Sequence, residues 1–495
     1  MVQDQNKSTN DVIDENEKPA PEEQLVQTHH SITIDGKEIK YTATAGTIIL
    51  KEEDDQKAET KAKASVFYVA YTLDGVKDIS SRPITFSFNG GPGSSSVWLH
   101  LGVLGPRRVK MLEDGQAPPP PYELVDNEFS LLDSTDLVFI DPVSTGFSRS
   151  VPGEEAKQFH GFQKDIEYIS EFIRVFTTRQ KRWTSPKFLI GESYGTTRAA
   201  GLAGYLQARH GFYLNGIMLI SSILNFGTAR FDVGNDLPYV LFLPTYTATA
   251  WYHKQLNDDL QSDLRSTLDE VEAFANNEYV LALMQGDDLP SKERDEIVKK
   301  LTRYTGLSPD YIERSNLRID IMRFTKELRR EDRLTVGRLD TRFTAVDKDA
   351  AGETFEFDPS YAVIQGPFTA TLNDYLRAEL EYENDLPYEI LTSRVQPWDY
   401  TSHQNQYLNV GETLRQAISY NPALKVFVAN GYYDLATPYF ATEYTFKHLQ
   451  FEEHLRDNVS MEYYEAGHMM YIHQESMAQL KTHLKDFLQN SIQSA

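Results

Sequence analysis

The stretch that most limits what this chain can become is Phe188-Leu189-Ile190-Gly191-Glu192-Ser193-Tyr194-Gly195. Its apolar residues read as a buried strand. The Ala- and Leu-rich residues that follow Gly195 read as a helix ended by Gly211. Between them lies the pattern G-x-S-x-G. A serine flanked by glycines at a strand-to-helix turn is the setting of a nucleophile elbow. The glycines let backbones pass close at the bend, and the serine is held strained with its hydroxyl pushed above the sheet edge. Alone, the pattern is a weak signal. A serine nucleophile needs a base, an acid to orient that base, and N–H donors for the oxyanion. Those parts must come from elsewhere in the chain.

Strand patterns on both sides supply a frame. Residues 30–73 alternate apolar and polar, with Asp35-Gly36 and Asp74-Gly75 as turns, which predicts antiparallel hairpins. Pro83-Ile84-Thr85-Phe86-Ser87-Phe88 reads as a strand running into Asn89-Gly90-Gly91-Pro92-Gly93. Consecutive prolines at 118–121 make residues 112–127 an irregular loop. Further buried strands are expected at 136–140, 216–222, 424–429 and 459–464. Ile166, Ile169, Ile173 and Phe176 fall at helical spacing within 162–181, and a last amphipathic helix is expected over 475–489. Strands alternating with helices predict an α/β fold with a mixed, mostly parallel sheet covered on both faces.

Residues 226–400 differ, being charged and largely helical in pattern, with helices expected at 291–304 and 310–330. They read as a helical cap insertion between two parts of the core, 26–225 and 401–495. Residues 1–25 are polar and acidic and read as a disordered tail. The sequence shows neither an apolar leader nor a run long enough to span a membrane, so a cytoplasmic location is expected. The 495 residues carry a formal charge of −24, which argues against nucleic acid or an anionic membrane as partner. The chain has no cysteine, so disulfides, thiolate catalysis and Cys-ligated metal are excluded.

In the chain order Ser, Asp, His of the α/β-hydrolase arrangement, each catalytic residue follows a strand. Asp434 lies just past the strand expected at 424–429, and His468 just past 459–464. Taken singly, Asp434 reads as a turn residue and His468, one of 12 histidines, as structural. Their joint order and position after Ser193 make the case. The Gly91 N–H, facing that of Tyr194, would complete an oxyanion hole. A phosphate-binding loop is discarded, because the P-loop lysine and the G-x-G-x-x-G spacing are both missing.

At these residues the chain resembles the serine carboxypeptidase family. The matching pieces are Asn89-Gly90-Gly91-Pro92-Gly93-Ser94-Ser95-Ser96, the loop Asp141-Pro142-Val143-Ser144-Thr145-Gly146-Phe147-Ser148, Gly191 to Gly195, Asp434, and Gly467-His468-Met469. The resemblance implies Ser193 as nucleophile, His468 as general acid/base and Asp434 as orienting acid. It also implies that Asn89, the Gly90 N–H and Glu192 hold a substrate's free C-terminal carboxylate. A protonated glutamate donates a hydrogen bond to such a carboxylate, whereas an ionised one repels it, so acid-favoured release of C-terminal residues is expected. The chain departs from the family pattern at Ser87, where many members have tryptophan. It departs also at Ser94, the place of a family cysteine, and at Val103, where many have a second glutamate. Met470-Tyr471 stand in place of Val-Pro. These changes look like a bacterial branch.

Three functions follow in order. The first is a serine-type carboxypeptidase acting on peptides with a free C-terminus through an acyl-enzyme, without cofactor or metal. The second is an acyltransferase or esterase on the same scaffold, and the third a catalytically silent binding protein. Oligomeric state is not legible in the sequence, with a homodimer kept open.

Overall fold

The computed structural model describes residues 22–54 and 59–493. Its central sheet is built from β1 (Leu25–Ile34), β2 (Lys37–Asp54), β3 (Glu59–Leu73), β4 (Ile84–Phe88), β5 (Asp136–Ile140), β6 (Arg149–Ser150), β7 (Lys187–Ser193), β8 (Gly216–Ser222), β9 (Lys425–Gly431) and β10 (Val459–Tyr464). The order across the sheet is β1-β2-β3-β5-β4-β7-β8-β9-β10, with β6 a short addition beside β3. The first three strands are antiparallel hairpins and β3 meets β5 antiparallel. From β5 onward every pairing is parallel. This is the α/β-hydrolase arrangement, a mixed sheet that is mostly parallel.

The sequence explains the two regimes. In β1–β2 the turn Asp35-Gly36 has φ of 50° and 74°, the geometry a two-residue hairpin demands. β4 and β5 are buried at every residue, as strands covered on both faces must be. Successive residues feed opposite cores: Phe188 and Ile190 join one, Leu189 the other.

The main helices are α1 (Phe162–Arg179), α2 (Tyr194–His210), α3 (Leu237–Tyr252), α4 (Leu264–Phe274), α5 (Ser291–Thr305), α6 (Pro359–Ala378), α7 (Gly411–Tyr420) and α8 (Gln474–Gln493). α1, α2 and α7 cover one face of the sheet, α6 and α8 the other. The apolar stripe Ile166, Ile169, Ile173 and Phe176 is buried against the strands as its spacing predicts.

Several expectations change. Residues 1–21 of the tail lie outside the described residues, but residues 22–25 do not belong to a loose tail. Glu23 accepts a hydrogen bond from the Ile49 N–H at 2.9 Å and pairs with Arg179 at 2.8 Å, and Leu25 opens β1. The helix expected over 310–330 is broken into Pro309–Arg314 and Ile321–Glu327. Asn316 and Leu317 take positive φ between them, and Asp320 caps the second piece through the Arg323 N–H at 3.0 Å. Leu124–Asp126, within the loop expected to be irregular, pairs with Arg107–Val109.

Residues 226–400 share their packing with the sheet at both ends. α3, α4 and α5 enclose a third core that takes in Tyr433, Leu435 and Tyr439 from beyond β9. α6 packs into the same core as β1 and β8. Among the described residues, no helix is long and apolar enough to cross a membrane.

Candidate active site

β7 delivers Ser193 to the sheet edge, and α2 starts at the next residue. Ser193 has φ 59° and ψ −130°. Such a conformation costs a non-glycine residue about 1–3 kcal/mol and persists only where its surroundings enforce it. Here they do. A Cβ on Gly191 would lie 2.1 Å from the Gly195 carbonyl oxygen, so the end of the strand passes directly under the first turn of the helix. The Asn89-Gly90-Gly91 loop abuts the same bend, since a Cβ on Gly90 would lie 2.4 Å from the Tyr194 nitrogen. The Ser193 carbonyl is tied down by the Thr196 hydroxyl at 2.7 Å.

Asp434 follows β9 and is wholly buried. Its carboxylate accepts hydrogen bonds from the Ala436 N–H (2.7 Å), the Thr437 N–H (3.0 Å) and the Thr437 hydroxyl (2.6 Å). It also holds His468 Nδ1 at 2.7 Å. Burial disfavours both charges, but their mutual attraction prevails. Asp434 lies below the usual aspartate range and His468 above the usual histidine range. With Nδ1 committed to Asp434, Nε2 is the ring nitrogen that this carboxylate does not hold. Ser193 and His468 line one cleft of about 750 Å³, together with Gly90, Gly91 and Glu192. Trp98, Tyr361, Ile364 and Met469 give it an apolar wall. A second groove of about 630 Å³, between α1, α2 and α7, contains none of these residues.

Glu192 is 3% exposed. Burial pushes its carboxyl up to about 7, against the opposing pull of His468 and of the Tyr471 hydroxyl that donates to Oε2; Asp434 adds to the rise. Asn89 sits behind the cleft, wholly buried. Its carbonyl accepts from Arg198 at 2.6 Å, and Arg198 pairs with buried Asp165 at 2.7 Å. Its Oδ1 accepts the Leu99 N–H at 3.1 Å. Asn89 Nδ2 lies near enough to Glu192 to favour the ionised carboxylate, yet closes no hydrogen bond there. Of the three residues assigned to a substrate carboxylate, Gly90 and Glu192 thus line the cleft and Asn89 backs it. Among the described residues no cluster of His, Asp and Glu could hold a metal ion.

Two features escape a reading of the sequence. Residues 338–341, inside the insertion, strap the two catalytic loops together. The His468 N–H donates to Leu339 O at 2.7 Å, the Leu435 N–H to Arg338 O at 3.1 Å, and the Thr341 N–H to Tyr433 O at 3.0 Å. Asp340 accepts the Gly467 N–H at 3.1 Å and pairs with Arg342 at 2.7 Å. The other is Tyr471, buried on Glu192. In the sequence it is marked only by its place three residues after His468.

The sequence model of the serine carboxypeptidase family, peptidase S10, matches residues 55–485. The chain belongs to the serine carboxypeptidase family. Among curated relatives, the pheromone-processing carboxypeptidase KEX1 of Saccharomyces cerevisiae is 31% identical over 160 residues, 30% of this chain and 20% of that protein. Serine carboxypeptidase-like 42 of Arabidopsis thaliana is 26% identical over 224 residues, 43% of this chain and 41% of the relative. The matched stretches therefore span from a fifth to two fifths of these relatives. The crystal structure of the yeast prohormone-processing carboxypeptidase superposes with a TM-score of 0.55 at 16% identity, covering 91% of each chain, which is a likeness of fold. Val103 is buried, and the phenol of Tyr471 stands beside Glu192.

Proposed function

We propose that the protein is a serine-type carboxypeptidase, releasing C-terminal residues from peptides through an acyl-enzyme at mildly acid pH. Ser193 attacks the scissile carbonyl carbon while His468 Nε2 takes its proton. Asp434 steadies the imidazolium through Nδ1. The Gly91 and Tyr194 N–H groups are assigned to the oxyanion, a donor pair whose loss on either side costs about 2.7–4 kcal/mol of transition-state stabilisation. His468 then returns the proton to the departing amine, and water releases the acyl group by the same steps in reverse.

The observation that carries the reading is Glu192, a buried carboxyl raised to about 7 beside the nucleophile in the same cleft. Protonated, it donates to a substrate carboxylate; ionised, it repels one. The reaction needs Glu192 to hold a proton and His468 to lack one, so the two groups compete for a single proton and titrate together. A bell-shaped pH profile follows. On the alkaline side KM rises as Glu192 ionises above about 7, and on the acid side turnover falls as His468 becomes protonated.

The test is hydrolysis of N-blocked dipeptides with free or amidated C-termini, beside simple esters, by the wild type and Ser193→Ala. The expected result is cleavage of the free acids, much weaker cleavage of the amides, and fluorophosphonate labelling that disappears in the variant. Cleavage of esters alone would replace the reading with an esterase. No labelling of Ser193 would replace it with a binding protein.

A further inference from the structure

Beside Glu192 the interior is shaped around one aromatic ring. Tyr471 is 1% exposed, and its hydroxyl donates to Glu192 Oε2. The ring occupies a hollow that exists because residue 102 is glycine: a Cβ there would lie 2.3 Å from Tyr471 Cε2. Gly102 belongs to the buried turn His100–Leu104, which also carries Val103. Glycine at 102 and tyrosine at 471 thus fit one another. The remaining groups that bear on Glu192 are His468, Asp434 and the Asn89 amide.

We propose that Tyr471 is the positioning residue of the carboxylate-recognition site, its phenol seated against Gly102 and holding Oε2 of Glu192 so that Oε1 is presented to the substrate's C-terminal carboxylate. This rests on the carboxypeptidase reading of the same cleft. A phenol differs from a second carboxyl in what it can do. Its own ionisation is pushed well above the ordinary tyrosine range by burial and by Glu192, so it stays a donor throughout the working range. The phenol takes no part in the titration that Glu192 shares with His468, where a second carboxyl would add a further titrating group. A donor facing the carboxylate favours its ionised form. Removing it leaves Glu192 protonated to higher pH and its side chain less well oriented.

The inference is tested with Tyr471→Phe, which deletes one oxygen, with Glu192→Gln as reference. KM for an N-blocked dipeptide is followed against pH, and the carbonyl stretch of the protonated Glu192 carboxyl is followed by difference infrared titration, its band assigned by its absence in Glu192→Gln. The expected result in Tyr471→Phe is an upward shift of both midpoints by about one pH unit, the change expected on losing a hydrogen bond to a charged group. The effect should fall on KM more than on kcat, and should vanish when Tyr471→Phe is combined with Glu192→Gln. Gly102→Ala, which presses on the ring and displaces the hydroxyl, should shift the midpoints the same way and serves should Tyr471→Phe fail to fold. Midpoints that stay put in the folded variant overturn the inference. If Glu192→Gln flattens KM against pH while Tyr471→Phe leaves it unmoved, the carboxypeptidase reading stands and only the role of Tyr471 falls. If no peptide is cleaved, that reading falls, and the infrared titration alone decides the contact between Tyr471 and Glu192.

Discussion

At Glu192 two opposing effects meet: burial pushes its proton affinity up, and His468, Tyr471 and Asn89 pull it down. Burial wins, and the carboxyl is pushed up to about 7. Replacing Glu192 by Gln keeps a hydrogen-bond donor but removes the charge. KM should therefore become flat with pH in the variant, while in the wild type it rises about tenfold per pH unit above the midpoint. Initial-rate kinetics from acid to mildly alkaline pH measure this, and a variant that keeps the wild-type slope would remove Glu192 from the role. Ser193→Ala should lower kcat by about 10⁴-fold or more, leaving only the residual catalysis of binding and oxyanion donors. Both residues are legible in the sequence, because nucleophile and carboxyl lie within one short motif. Tyr471 is less so, since nothing in its neighbours says that its ring reaches a residue 279 positions away.

At the scale of the element, the catalytic loops are positioned by backbone hydrogen bonds from a strap they do not resemble. Residues 338–341 join the loop carrying Asp434 to the loop carrying His468. Gly467 is required there, because a Cβ would lie 2.4 Å from Asp340 Cβ. Gly467→Ala should cost about 1–3 kcal/mol through overpacking and lower kcat by tilting His468 away from Asp434. Asp340→Asn leaves Arg342 buried without its partner and should cost ~3–5 kcal/mol, measurable by urea unfolding. If both variants retain wild-type kcat, the strap does not set the geometry of the base. The parallel strands are visible as short apolar runs, α1 and α8 through their helical spacing, and α2 through its Ala- and Leu-rich composition and its stop at Gly211, which takes φ 59°. The break between residues 310 and 330 is hidden because both flanking pieces favour helix, and the interruption comes from packing around Ile312, Leu317 and Phe324.

For the whole molecule, the cleft is walled by the core of α6 and α8, through Trp98, Ile364 and Met469, while a separate core reaches the catalytic loops from behind. The ends of β7 and β10 supply Ser193 and His468, and the core of α3, α4 and α5 grips Tyr433 and Leu435 on either side of Asp434. Disturbing that third core should reach the catalytic acid. Phe324, wholly buried and stacked on Tyr246 with ring centroids 4.1 Å apart, is a suitable site. Phe324→Ala should cost about 3–5 kcal/mol and lower activity at temperatures where the sheet is still folded. Thermal denaturation followed in parallel by circular dichroism and by peptide hydrolysis would detect the separation, and coincident curves would refute the coupling. The sequence by itself determined the alternation of strand and helix, the elbow, and the order of nucleophile, acid and base, because these depend on periodicity and on residue types that act locally. Only the tertiary structure decided which segments hold those residues in register, which carboxyl becomes buried enough to retain its proton, and which phenol it leans on. Those outcomes depend on desolvation and on steric fit between segments far apart in the chain, and neither quantity exists until the chain has folded.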